Sequence, residues 1–193
     1  LLAGRSDRDL RLQMIAVLAA AEWKLPAAAP EIAAWFPQSS TSFAGLDMPL
    51  ALAVAGYFDR RPVPAAVPLI LRFLEIEEPT ADAEASRVAE AIALRAACST
   101  ALRHYSTWRD GRIVDALIAH LSDAAPVKLA AACALVELRS RTDLATQYLL
   151  ALARSGEPTA RLTAGRALLT LREPRAVRWA VDVAWNSADA DAR

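Results

Sequence analysis

A chain of 193 residues with 55% apolar side chains can bury a substantial core, which excludes a disordered segment, and it shows no second compositional block. Twenty-two basic residues balance 22 acidic ones, so no global field draws the chain to nucleic acid or to an anionic membrane surface. Forty-five alanines and 27 leucines against six glycines favour helix over strand.

Prolines and short polar clusters cut the chain into about ten helical segments. The first apolar-periodic stretch runs from Asp9 to Lys24 behind Ser6-Asp7-Arg8-Asp9, which reads as a capping box. Within it, Met14 to Ala21 is the longest unbroken apolar run, too short to cross a bilayer. Pro26 and Pro30 open a second helix ending near Phe36, and the polar loop from Pro37 to Asp47 carries Ser39, Ser40, Thr41 and Ser42. A helix is expected over Pro49 to Phe58, then another opened by Pro62, Pro64 and Pro68 and running to about Ile76. Glu77 to Ala85 is an acidic connector, after which helix resumes through Tyr105. Further helices are expected over Arg112 to Leu121, Pro126 to Arg139, Leu144 to Ala153, Pro158 to Leu171 and Pro174 to Trp185. Strand alternation with hairpin turns is absent, so the class is all-α.

Three segments align without gaps at a spacing of 33 residues, beginning at Leu94-Arg95, Val127-Lys128 and Ala160-Arg161. Seven residues after each basic residue stands a leucine preceded by alanine: Leu102, Leu135 and Leu168. Leu10-Arg11-Leu12 with Leu18 fits the same frame, and Leu50 to Tyr57 fits it loosely, which makes five candidate repeats. At 100° per residue, Ala160, Ala164, Ala167, Leu168 and Leu171 share one stripe. Val127, Ala131, Ala134, Leu135 and Leu138 reproduce that stripe, as do Leu94, Cys98, Ala101, Leu102 and Tyr105. A second apolar line, Leu129 with Val136 and Leu162 with Leu169, lies nearly opposite and is expected to stay partly exposed. Helices apolar on two faces suit an inner layer flanked by neighbours.

These repeats resemble the HEAT-repeat family, especially the short bacterial type also found in phycobilin lyase subunits. The likeness rests on Asp123-Ala-Ala-Pro126-Val-Lys-Leu-Ala-Ala-Ala-Cys-Ala-Leu135 and on Glu157-Pro-Thr-Ala-Arg161-Leu-Thr-Ala-Gly-Arg-Ala-Leu168, with Pro174-Arg-Ala-Val177 opening a further helix. It is closest over residues 94–185 and more divergent over 1–76, with Gly156 in place of the turn aspartate in the last full repeat. The resemblance implies one domain over 1–193, within a protein that extends further if the missing initiator Met is taken at face value. Its fold would be a right-handed α-solenoid of about five helix pairs, the second helix of each pair lining the inner surface.

Catalytic signatures are missing. His104 and His120 are the only histidines and lack the spacing of a metal site, and Cys98 and Cys133 have no further ligands near them in sequence. Neither a Gly-x-Ser-x-Gly nor a glycine-rich phosphate loop occurs, so no enzyme activity, metal or cofactor is expected. Trp179, Asp182 and Trp185 superficially suggest the aromatic–aspartate cluster of HEAT-like alkylpurine DNA glycosylases, but their spacing fits one side of a terminal packing helix. Two cysteines without a disulfide framework and no visible signal peptide point to the cytoplasm. Two lysines among 22 basic residues, with abundant alanine and proline, suggest a high-GC bacterial source.

Charge is nonetheless uneven. Residues 75–90 carry a balance of −5 and residues 139–178, with eight arginines, a balance of +5. The expected role is a non-enzymatic scaffold, adaptor or regulatory module that binds a protein or peptide on the inner face, with no membrane partner. Arg103, Leu129, Cys133, Val136, Leu162, Arg166 and Leu169 are the candidate contact residues. The alternative is a nucleic-acid binder using the arginine-rich C-terminal half. Lys128 and Arg161 are expected to act structurally, in a ladder that joins Glu137 to Arg172 or Arg161 of the next repeat, or to Arg95 if the stacking direction is reversed.

Overall fold

Proline placement and aspartate caps account for most of the helix boundaries. The computed structural model describes residues 46–76, 85–108, 110–155 and 157–178, with positions 12–13, 15–17, 19, 28, 32 and 36 near the N-terminus. Helix α1 spans Met48–Arg60, and a 3-10 turn over Pro64–Ala66 runs into α2, Val67–Leu74. Then come α3 (Ala85–Leu102) with a 3-10 extension Arg103–Trp108, α4 (Gly111–Ala119) with a 3-10 turn His120–Ser122, α5 (Ala125–Glu137), α6 (Thr142–Ser155) and α7 (Pro158–Thr170). Residues 174–178 are helical as well, and no strand occurs among the described residues. The Ser6–Asp9 capping box, the loop at 37–45, most of the acidic connector and the Trp179, Asp182 and Trp185 set lie outside the described residues.

Pro49, Pro68, Pro126 and Pro158 each occupy the first turn of their helix, where a missing N–H costs nothing and the fixed φ is already helical. The Asp47 carboxylate accepts from the Leu50 N–H at 2.8 Å, and Asp110 accepts from the Arg112 N–H at 3.1 Å, so both act as N-caps. Helix was expected to continue through Tyr105, but the backbone tightens to 3-10 from Arg103 and leaves helical geometry at Tyr105 (φ −96°, ψ 20°). There the Val63 N–H donates to the phenolic oxygen at 3.3 Å, which ties the end of α3 to the turn before α2. Burial pushes the Tyr105 hydroxyl up to about 12, only partly opposed by that hydrogen bond.

The repeated helices end alike. After α5 the Arg139 N–H donates to Val136 O and the Ser140 N–H to Leu135 O, both at 3.0 Å. After α7 the Arg172 N–H donates to Leu169 O at 2.9 Å and the Glu173 N–H to Leu168 O at 3.1 Å. Both are Schellman closures, and both put an arginine in the left-handed region, with φ 53° at Arg139 and φ 57° at Arg172.

Helix α3 packs against α1 and α2 on one hand and α5 on the other, and α5 packs in turn against α4, α6 and α7. The helices α1, α3, α5 and α7 thus follow one another as neighbours, while α2 touches α4 and α6 lies on α7. The stripe read from the sequence is the core of this packing. Leu102, Leu135 and Leu168 are all 0% exposed, and Leu94, Cys98, Ala101, Tyr105, Val127, Ala131, Ala134 and Ala164 are buried with them. One apolar cluster runs through the described residues from Val17, Ile32 and Phe36 to Ala176.

Candidate functional site

Helix α7 has a clear division of faces. Ala164, Gly165 and Leu168 are buried, whereas Arg166 is exposed, Leu162 is half-buried and Leu169 keeps 41% of its surface in solvent. A large aliphatic residue beside an exposed guanidinium is the amphipathic character a protein-binding face requires.

The 33-residue period carries this face back along the array, but not unchanged. On α5, Leu129 and Cys133 are half-buried and pack against the core from its edge. Val136, equivalent to Leu169, is only 1% exposed, so its expected place on a partly open line is corrected: it is core. The reason is flanking. Helix α5 has α3 on one side and α7 on the other, with α4 and α6 also against it, and this packing encloses Val136.

Arg103 holds the same repeat position at the end of α3, and its guanidinium is already engaged. Its Nη2 lies 3.3 Å from Asp59 Oδ1 in α1, and His104 Nε2 lies 3.1 Å from the same oxygen. Arg103 Nε also approaches His104 Nε2 at 3.0 Å, so that ring nitrogen accepts from Arg103 in one tautomer and donates to Asp59 in the other. Asp59 could not be found from the sequence, because no repeat position or spacing marks it. Cys133 lies close enough to feel both charges nearby. Burial foremost, then Glu137, raises its thiol to about 11, and Arg103 opposes them. A thiol so placed is mostly protonated at neutral pH and therefore reacts slowly.

Arg95 and Lys128 meet the following repeat, but the expected ladder is not formed: Glu137 has no basic partner and Arg161 takes no part in one among the described residues. Arg95 is buried against Asp123, with Nε 3.1 Å from Oδ2 and Nη2 3.2 Å from Oδ1. The same carboxylate receives the Ala124 N–H at 2.6 Å and faces His120 Nδ1 at 3.0 Å. Lys128 instead places its ammonium 4.6 Å from the centroid of the Tyr148 ring in α6, a cation–π contact. Among the described residues Glu137 and Arg161 make no ion pair.

Among the described residues no three His, Cys, Asp or Glu side chains converge as a metal site would require, and no helix is long and apolar enough to cross a membrane. No family model matches this chain, and no curated protein or solved structure matches it either.

Proposed function

We propose that the chain is a HEAT-like α-solenoid, right-handed and of about five helix pairs, that serves as a non-enzymatic scaffold or adaptor for another protein. The open face of α7, where Leu162, Arg166 and Leu169 combine apolar surface with a free cation, carries this reading. Leu129, Cys133 and Arg103 extend it towards α3, with Val136 as the packed layer beneath. A surface of this kind is preformed. A partner segment would meet helices already held by the core, so little of the binding free energy goes into ordering the scaffold.

The nucleic-acid alternative is less well supported. The +5 balance over 139–178 already counts Asp143 and Glu173, which lie 3.5 and 2.6 Å from Arg141 and Arg175. Over the whole chain it is cancelled to a net charge of zero, so no extended positive field supports a phosphate backbone. The test is retention of host-extract components on the immobilised chain, with and without nuclease, compared with Leu162→Ser/Leu169→Ser. Nuclease-resistant retention that the double variant loses while still melting near the wild-type temperature is the expected result. Retention abolished by nuclease selects the alternative. A cooperative melt at a much lower temperature would show that the two leucines are core and would remove the face.

A further inference from the structure

At one end of the helices two clefts share Arg139, and the 33-residue period relates Leu138 and Arg139 of the first to Leu171 and Arg172 of the second. The first, about 510 Å³, is lined by Tyr105, Ser106, Asp110, Leu138 and Arg139 among others, and Asp110 is already engaged by Arg112. The second, about 640 Å³, has Glu137 and Arg139 facing Leu171 and Arg172. Positions 106, 139 and 172 are equivalent, so Arg139 is shared by the two clefts and Arg172 repeats it one helix pair later. Both arginines are exposed and both hold the left-handed conformation that glycine adopts without steric penalty.

Neither side chain is needed where it stands. The Schellman hydrogen bonds already satisfy the terminal carbonyls of α5 and α7, leaving the guanidinium groups no backbone duty. Their neighbours differ in one respect. Arg141 meets Asp143 at 3.5 Å and Arg175 meets Glu173 at 2.6 Å, whereas Arg139 and Arg172 make no ion pair among the described residues. Two planar cations with no ion pair among the described residues therefore line the second cleft together with Leu171.

We propose that Arg139 and Arg172 form a repeated carboxylate-binding edge for an extended, acidic protein segment, a site independent of the open face of α7. Guanidinium groups recognise carboxylates in two-point fashion, and the leucines can cover the methylenes of a glutamate side chain. Neighbouring helices stand roughly 8–10 Å apart, a separation that acidic residues two or three positions apart span in an extended chain. Glu137 leaves one positive charge in excess in the second cleft, and Asp110 balances Arg139 in the first, a small local excess that suits a separate carboxylate and opposes a continuous phosphate backbone.

Fluorescence anisotropy with a fluorescein-labelled peptide alternating glutamate and serine tests this, beside a glutamine–serine control peptide and labelled oligothymidine. Saturable binding that weakens with added salt and is absent for the control is expected. Arg139→Gly/Arg172→Gly, which suits the left-handed backbone and so preserves the fold, should weaken it by about tenfold or more. Arg139→Lys/Arg172→Lys keeps the charge but not the two-point geometry and should fall between wild type and the glycine variant, and Arg141→Gln/Arg175→Gln should leave binding within about twofold of wild type. The proposal is overturned by no saturable binding of the glutamate peptide, by undiminished binding to the glycine variant, or by tighter binding of oligothymidine at equal ionic strength.

Discussion

Leu135 and Leu168 lie where their alanine-flanked repeats place them, and no part of either side chain reaches solvent. Truncating either to alanine removes methylene contacts and leaves a cavity between helices that close up only partially, at a cost of about 2–5 kcal/mol. Chemical denaturation measures this, and a loss under about 1 kcal/mol would mean the stripe is not core. The two cysteines make a second test at this scale. Cys98 is fully buried and its thiol is held far above the ordinary range, while Cys133 is half-buried and raised to about 11. Iodoacetamide near pH 7.4 should modify Cys133 slowly, and faster as the pH rises, whereas Cys98 should label only with unfolding. Leu135 was legible because its surroundings recur every 33 residues, whereas the burial of Val136 was not. Helical phase shows which way a side chain points, not how closely the neighbouring helices shut over it.

Helix ends were the most legible elements, since proline and aspartate act through local sterics and hydrogen bonding. What the sequence concealed is the left-handed arginine after α5 and α7, because any residue can be forced there by a Schellman closure. A β-carbon in that conformation costs on the order of 1 kcal/mol relative to glycine, partly offset by a cation's attraction to the helix C-terminus. Arg172→Gly is therefore expected to leave stability unchanged or raise it by up to about 1 kcal/mol in urea unfolding; a clear loss would assign the Arg172 side chain a structural contact. The Asp110 cap gives a pH-dependent counterpart. The hydrogen bond from Arg112, ahead of the opposing cost of burial, holds its carboxyl below the usual range. A depressed folded-state value contributes stability above the unfolded value of about 3.9 and loses it as the pH falls through the folded one. Asp110→Ala should thus cost about 1 kcal/mol at pH 7, with its gap from wild type shrinking below about pH 4.

On the scale of the molecule, the all-α class and the order of the helices follow from periodicity, but the ties between successive repeats do not. Asp123 stood out in the sequence as an acid at a turn, yet beside His120 of its own helix pair it engages Arg95 of the preceding repeat. Which side chains meet depends on the rotation between neighbouring helices, and periodicity within one helix carries no record of that. The pair joins α3 to the start of α5 at the middle of the described array, with Arg95 5% exposed. Removing one partner of a buried pair is far more damaging than replacing both, because the remaining charge keeps its desolvation cost. Asp123→Ala is expected to lower stability by about 3–5 kcal/mol, and Arg95→Met/Asp123→Ala to recover most of that. Because one apolar cluster spans the described residues, the single variant should shift the whole transition. Far-UV circular dichroism and hydrogen exchange should then report the same midpoint. Two separated transitions in Asp123→Ala would show instead that this ion pair, and not the shared core, couples the N-terminal helices to α5, α6 and α7.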